Sequence, residues 1–240
     1  MVLNLYLDLL NPSCRSIYIF ARRNQITFEM IPVDLMKAEH CSEDFVKINP
    51  FMKVPVLTDE SFILRESVAI LLYLCRRYRA PDYWYPADAR RCARVDEFLA
   101  WGELNLKKHC NKFLWMKLLI PHFFKCDVPE SKVEEATVEL SRTLGVLVKK
   151  FLRTKAFLAG ERLTLADVVA LEDVVQALSS GYNIIENRPL IQRWRGRVES
   201  TLGQMLCDEV HEHIMALKNK PPLTSDMVRT FDTRRDMLLS

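Results

Sequence analysis

The chain of 240 residues has no apolar run long enough to cross a bilayer. Stretches such as VAILLYLC, at residues 68–75, fall far short of the roughly 20 apolar residues that a spanning helix needs. The opening residues, MVLNLYLDLL, lack a basic leader and a small-residue cleavage pattern, so no signal peptide is expected. There is no C-x-x-C pair. Seven cysteines, at 14, 41, 75, 92, 110, 126 and 207, are odd in number and scattered, which points to reduced thiols in a cytoplasmic protein rather than a disulfide framework. Net charge is scarce too: 34 basic against 31 acidic residues leave +3, too little to argue for nucleic acid. The basic pairs Arg22-Arg23, Lys107-Lys108 and Arg234-Arg235 read as solvated helix faces. No internal repeat is present. His211 and His213 would point about 200° apart on a helix and Asp96 and Glu97 about 100° apart, so neither set reads as a shared metal or acid–base site, and no metal is assigned. What is there is globular composition, 49% apolar and 27% charged.

The first 80 residues switch period repeatedly. Leu3, Leu5 and Leu7 alternate with polar neighbours, the period of a strand. From Pro12 the spacing of Ile17, Ile19, Phe20 and Ala21 turns helical until Asn24. FEMIPV reads as a strand that Pro32 confines to an edge or an irregularity. SEDFVKIN is a short polar helix, VPVLTDESFIL gives two strands across a turn at Asp59-Glu60, and ESVAILLYLCRRY is an apolar helix. The order is β-α-β-α-β-β-α, an α/β sandwich. APDYWYPA, at 80–87, is rich in proline and aromatics and reads as a linker. Beyond it the patterns are helical, over 89–120, 129–152, 165–179, 188–199 and 203–217. TLAD, at 164–167, is a capping box with Thr164 as N-cap. The tail from 221 to 240 is polar and basic.

These elements carry a resemblance. The strand and helix order resembles a thioredoxin-like domain, and with the all-helical domain behind it the chain resembles a cytosolic glutathione transferase of the theta class. LYLDLL, CRSIYIFARRN, VDLMKAEH, INPFMKVPVL, ESVAILLYL, PDYWYPAD, RVDEFLAW and LTLADVVAL all look like that class, and together they span the chain to about residue 215. The resemblance implies a glutathione-binding domain at 1–80, a helical domain with the electrophile site at 88–240, and a homodimer. It also implies the ligand's contacts. A cis bond before Pro55 would turn the backbone of Val54 toward the cysteinyl unit, as a strand edge would. Ser67, at a helix start, would hold the γ-glutamyl carboxylate while Glu66 meets the ammonium. His40 and Lys53 would contact the glycyl carboxylate and the nearby backbone. Glutathione enters as co-substrate, beside a small electrophile.

The sequence departs from the class at the sulfur. Where the class usually reads Ser-x-Pro-Cys/Ser-Arg, this chain has Asn11-Pro12-Ser13-Cys14-Arg15. A free thiol titrates near about 8.5, and lowering it by about two units takes roughly 2.7 kcal/mol. One hydrogen bond to a charged group supplies about 1.5–3 kcal/mol, so a single donor beside a helix N-terminus nearly suffices. Pro12 biases Asn11 toward an extended, N-cap conformation, in which the amide oxygen caps the helix and the NH₂ points at the sulfur. Ser13 is a second donor if the helix start shifts by one residue. Cys14, near a helix start, is a third candidate through a mixed disulfide, although the class often buries a cysteine there for packing. The expectation is that Asn11 stabilises the thiolate and Ser13 assists.

The electrophile is expected against the first long helix of the second domain. Lys107 and Lys108 match positions that are often basic in the class, and a cation there would stabilise a departing halide or sulfate. Trp115, Met116 and the tail near Arg234 are candidates to line or cover the pocket. The expected activity is conjugation of the glutathione thiolate to small hydrophobic, halogenated or sulfate-ester electrophiles. A non-catalytic glutathione-binding protein and a glutathione-dependent disulfide reductase stand as alternatives, motivated by the missing serine.

Overall fold

The computed structural model describes residues 3–223 and 235–239. Period-two alternation does its work at once: Leu3, Leu5 and Leu7 are buried along one face of β1 (Leu3–Leu7). α1 (Pro12–Arg23) opens on Pro12, whose missing N–H costs nothing in a first turn. β2 (Phe28–Pro32) pairs parallel with β1, with Leu3 opposite Phe28 and Leu7 opposite Pro32. The short α2 (Glu43–Ile48) is capped by Ser42, whose hydroxyl accepts from the Phe45 N–H. β3 (Val56–Asp59) runs antiparallel to β1, and β4 (Phe62–Arg65) antiparallel to β3. The sheet order β2-β1-β3-β4 leaves β2 on an edge, where a proline removes no ladder bond. α3 (Ser67–Arg77) then buries Ile70, Leu71, Leu74 and Cys75.

Beyond α3 the regular elements among the described residues are helices. α4 (Ala89–Gly102) continues through a π-helical stretch into α5 (Lys108–Leu114), and a second such stretch carries the helix on to Phe123. The pattern predicts an end at 120. The wider winding accommodates Pro121, whose ring an ordinary turn would not, and so extends the helix. α6 (Glu130–Val146), α7 (Leu165–Leu178), α8 (Pro189–Leu202) and α9 (Gln204–Met215) complete the set. α7 is buried along most of its length. Its start is the capping box that TLAD predicts, and Asp167 does more than cap. It accepts from the Thr164 N–H at 2.9 Å, the Leu158 N–H at 2.8 Å and the Trp194 indole N–H at 2.9 Å.

The proline- and aromatic-rich segment 80–87, expected as a linker, is tied down at Trp84. Trp84 is fully buried, its ring centroid 5.0 Å from that of Phe20 in α1. Its carbonyl accepts the Leu165 N–H at the start of α7, at 3.0 Å. A second tie between the units is ionic. Arg15 of α1, wholly buried, donates from Nε to Glu172 of α7 at 2.5 Å and from Nη2 to Gln176 Oε1 at 2.9 Å. Glu172 also meets His211 Nε2 of α9 at 2.9 Å. No helix among the described residues is long and apolar enough to cross a membrane.

Candidate functional site

Asn11 sits where β1 has ended and α1 begins. Its backbone is extended, φ −91° and ψ 127°, as the residue before a proline is biased to be. Its Oδ1 accepts the N–H of Ser13 at 2.9 Å and of Cys14 at 3.3 Å. The oxygen is committed to the helix, which leaves the NH₂, with two donors, for a ligand in the cavity that Asn11 lines. α1 starts at Pro12, so the one-residue shift considered for Ser13 does not occur. Ser13, 9% exposed, nonetheless lines the same cavity. Cys14 is fully enclosed behind it, and burial pushes its thiol far above the ordinary range. A sealed, protonated thiol serves packing and is poorly suited to a mixed disulfide.

The strand and helix ends beside α1 bring the other residues in. Asn49, buried, donates from Nδ2 to the Lys53 carbonyl at 2.6 Å and accepts from the Phe51 N–H at 3.1 Å, which fixes the loop ahead of β3. The Val54-Pro55 bond is cis, as the resemblance implies. Val54 makes no backbone hydrogen bond within the described residues, so its N–H and C=O stand ready for an extended ligand. Glu66 precedes α3 with φ 69°, a left-handed conformation unusual for a residue with a side chain and of the kind that gathers at ligand sites. No side chain caps the first turn of α3, so its free N–H groups beside Ser67 form an anion-receiving end. His40, half-buried in a short 3₁₀ turn, is held below the usual imidazole range by burial, against an opposing pull from Asp8. It therefore presents a neutral ring to an incoming ligand.

All of these residues face one cavity of about 370 Å³: Asn11, Ser13, His40, Lys53, Val54, Glu66, Ser67 and, from the helical unit, Lys107. Trp115 lines it as expected, with Leu114 and Leu119 giving that end an apolar wall. Lys108 does not belong: one step along the helix from Lys107, it is exposed to solvent. Met116 lies instead in a satellite cluster with Trp115 and Ile120, against which Leu238 and Leu239 of the tail pack. Arg234 lies outside the described residues. Sequence reasoning did not find Asn49, Glu103, Gln176 or Leu217, which also line the cavity. Only Glu103 had a local signal, its position four residues ahead of Lys107.

Comparison with known proteins gives the same picture. The family model "Glutathione S-transferase, N-terminal domain" matches residues 1–76, and "Glutathione S-transferase, C-terminal domain" matches 109–201. Glutathione S-transferase theta-1 of Bos taurus is 47% identical over 222 residues, 92% of either chain. Glutathione S-transferase theta-2 of Rattus norvegicus is 46% identical over 217 residues, 90% of this chain and 88% of the relative. Among solved structures, apo human glutathione S-transferase T1-1 superposes with a TM-score of 0.96 at 43% identity, covering 99% of this chain and all of that one (100%). A human theta-class transferase in complex with the glutathione conjugate of 1-menaphthyl sulfate gives 0.94 at 40% identity, covering 99% and 100%.

Proposed function

The chain belongs to the glutathione S-transferase family, in its theta class, and from that membership we infer that it is a transferase joining the sulfur of glutathione to a small hydrophobic electrophile. The observation that carries the reading at residue level is the convergence on one cavity of Asn11, Ser13, His40, Lys53, Val54, Glu66 and Ser67 from the first unit with Lys107 and Trp115 from the second. Both units line that cavity, Asn11 and Ser13 from the first and Lys107, Leu114 and Trp115 from the second.

In this reading the α3 N-terminus and Ser67 hold the γ-glutamyl carboxylate, and Glu66 pairs with the ammonium. Val54 receives the cysteinyl backbone, and Lys53 and His40 meet the glycyl carboxylate. The thiol gives its proton to solvent, and the Asn11 NH₂, assisted by the Ser13 hydroxyl, stabilises the thiolate. The sulfur forms a bond to the electrophilic carbon while the bond to the leaving group breaks, and that group departs with the electron pair near Lys107. Residues 1–80 and 88–240 serve as the glutathione and electrophile domains. A homodimer is supported by apolar side chains left at the surface of the first unit, Phe51 at 63% and Phe62 at 45% exposure. Seven free cysteines support a cytoplasmic placement, which recovery from a secreted fraction would overturn.

The deciding experiment is the pKa of glutathione's thiol on the protein, read from thiolate ultraviolet absorbance across pH with binding followed by calorimetry. A value at least about one unit below the free thiol's, roughly 8.5, is expected. Tight binding with no such shift would mean that the protein holds glutathione without activating it.

A further inference from the structure

The cation at the electrophile end of the cavity is already engaged. Lys107 Nζ lies 2.7 Å from Glu103 Oε1 and 2.9 Å from Oε2, so both carboxylate oxygens hold it across one helical turn. Glu103 is no outer-face bystander, since both side chains line the cavity, and the carboxylate, at 47% exposure against 21% for the lysine, is the more open of the two. Behind the pair, on α7, lies Asp173, 2% exposed, with Oδ2 lacking any hydrogen-bond partner. Burial pushes the Asp173 carboxyl well above its usual range, Lys107 pulling against that and Glu103 adding to it. The nearby Lys112 is also occupied, between Glu135 at 2.7 Å and Glu139 at 2.8 Å. One ammonium thus faces one carboxylate, with a second carboxyl group behind, and among the described residues these three groups leave that corner without surplus positive charge.

That arrangement discriminates between leaving groups. In both reactions sulfur bonds to the same carbon, and either chloride or sulfate departs with the bonding pair. They differ in what arrives. A carbon–halogen bond brings no net charge until it begins to break, whereas a sulfate ester enters as an anion and must displace Glu103 from Lys107 or lie against its carboxylate. We propose that Glu103 is a specificity-determining residue, which favours neutral halogenated electrophiles over those whose leaving group is a preformed anion. The proposal rests on the transferase reading of this cavity.

The test compares one carbon skeleton with and without charge. The full-length protein with glutathione is titrated calorimetrically with naphthalenemethanesulfonate, an inert likeness of a sulfate ester, and with naphthalenemethanol as the neutral control. Glu103→Gln keeps the side chain's size and removes its charge. It is expected to tighten the sulfonate relative to the alcohol by about tenfold, equivalent to about 1.4 kcal/mol. Adding Lys107→Gln should abolish that gain, which a merely structural effect of the first change would not predict. In turnover, the kcat/KM preference for chloromethylnaphthalene over naphthylmethyl sulfate should shrink in Glu103→Gln by a similar factor. An unchanged binding ratio overturns the proposal, and so does a wild-type protein that takes the sulfate as readily as the chloride. Failure of the transferase reading looks different: neither electrophile is conjugated, while the binding ratio still reports on Glu103.

Discussion

Replacing Asn11 by Asp separates the two jobs assigned to this residue. The side chains are of nearly equal size, and Asp keeps an oxygen for the N–H groups of Ser13 and Cys14, now at 2.9 and 3.3 Å. Asn and Asp rank together as N-caps, and a negative charge at a helix N-terminus adds about 0.3–1 kcal/mol. Global stability should therefore hold within about 1 kcal/mol. At the sulfur the change is adverse twice over. The lost donor was worth about 1.5–3 kcal/mol to the thiolate, or about one to two pKa units at 1.36 kcal/mol each. A carboxylate in its place adds like-charge repulsion, so the thiol pKa should rise by at least about one unit.

Thiolate absorbance across pH, on glutathione bound to wild type and to Asn11→Asp, measures that shift, while denaturant unfolding of both proteins measures the cap. Asn11→Ala is the control that loses both functions: about 0.5–2 kcal/mol of stability together with the donor. If Asn11→Asp binds glutathione and the thiol pKa stays where wild type holds it, Asn11 does not touch the sulfur and the assignment passes to Ser13.

Two further outcomes are expected. Glu172→Gln strands the buried Arg15 and should cost about 3–5 kcal/mol at neutral pH by chemical denaturation. Burial works to raise the Glu172 carboxyl, but His211 and Arg15 outweigh it and hold it below the usual range. Its stabilisation is therefore complete above about 4.3, the ordinary glutamate value, and is lost as pH falls through the lower folded value. The gap between wild type and Glu172→Gln should narrow on acidification below about 4.3, and a constant gap would refute the ion-pair account. The dimer is checked by sedimentation, where a single monomeric species at micromolar concentration would rule it out and leave Phe51 and Phe62 to another role.

The sequence made legible whatever depends on local period and local chemistry. Alternation at Leu3, Leu5 and Leu7 marked β1, the ring of Pro32 marked a sheet edge, and Thr164 with Asp167 marked the start of α7. The glutathione residues were legible only through the resemblance. Val54, Glu66 and Ser67 lie in segments that look like the theta class, and local pattern alone reads them as no more than a strand start and a helix start. What stayed hidden depends on contacts across the chain. Arg15 and Glu172 are 157 residues apart, and nothing near either one names its partner. Lys107 and Lys108 look alike in sequence, yet adjacent helix positions point about 100° apart, so one meets the cavity and the other meets water. The burial of Trp84 stayed hidden because proline and aromatic residues have the same composition whether a segment is packed or free.

The departure at residue 11 is smaller in physical terms than in sequence. The fold requires an acceptor at that position, because α1 begins there with N–H groups to satisfy. A serine meets the requirement with a lone pair of its hydroxyl oxygen and keeps its single O–H as a donor. Asn11 meets it with the amide oxygen and keeps its NH₂. The division is the same in both cases, acceptor to the helix and donor to the cavity, and the substitution preserves it although the atoms differ. Arg15 guards the geometry from behind, donating from Nη1 to the carbonyls of Leu9 at 3.0 Å and Leu10 at 3.2 Å. The guanidinium is in turn fixed by Glu172 of the second unit. The geometry at the start of α1 thus depends on the packing between the two units as much as on the residue at position 11.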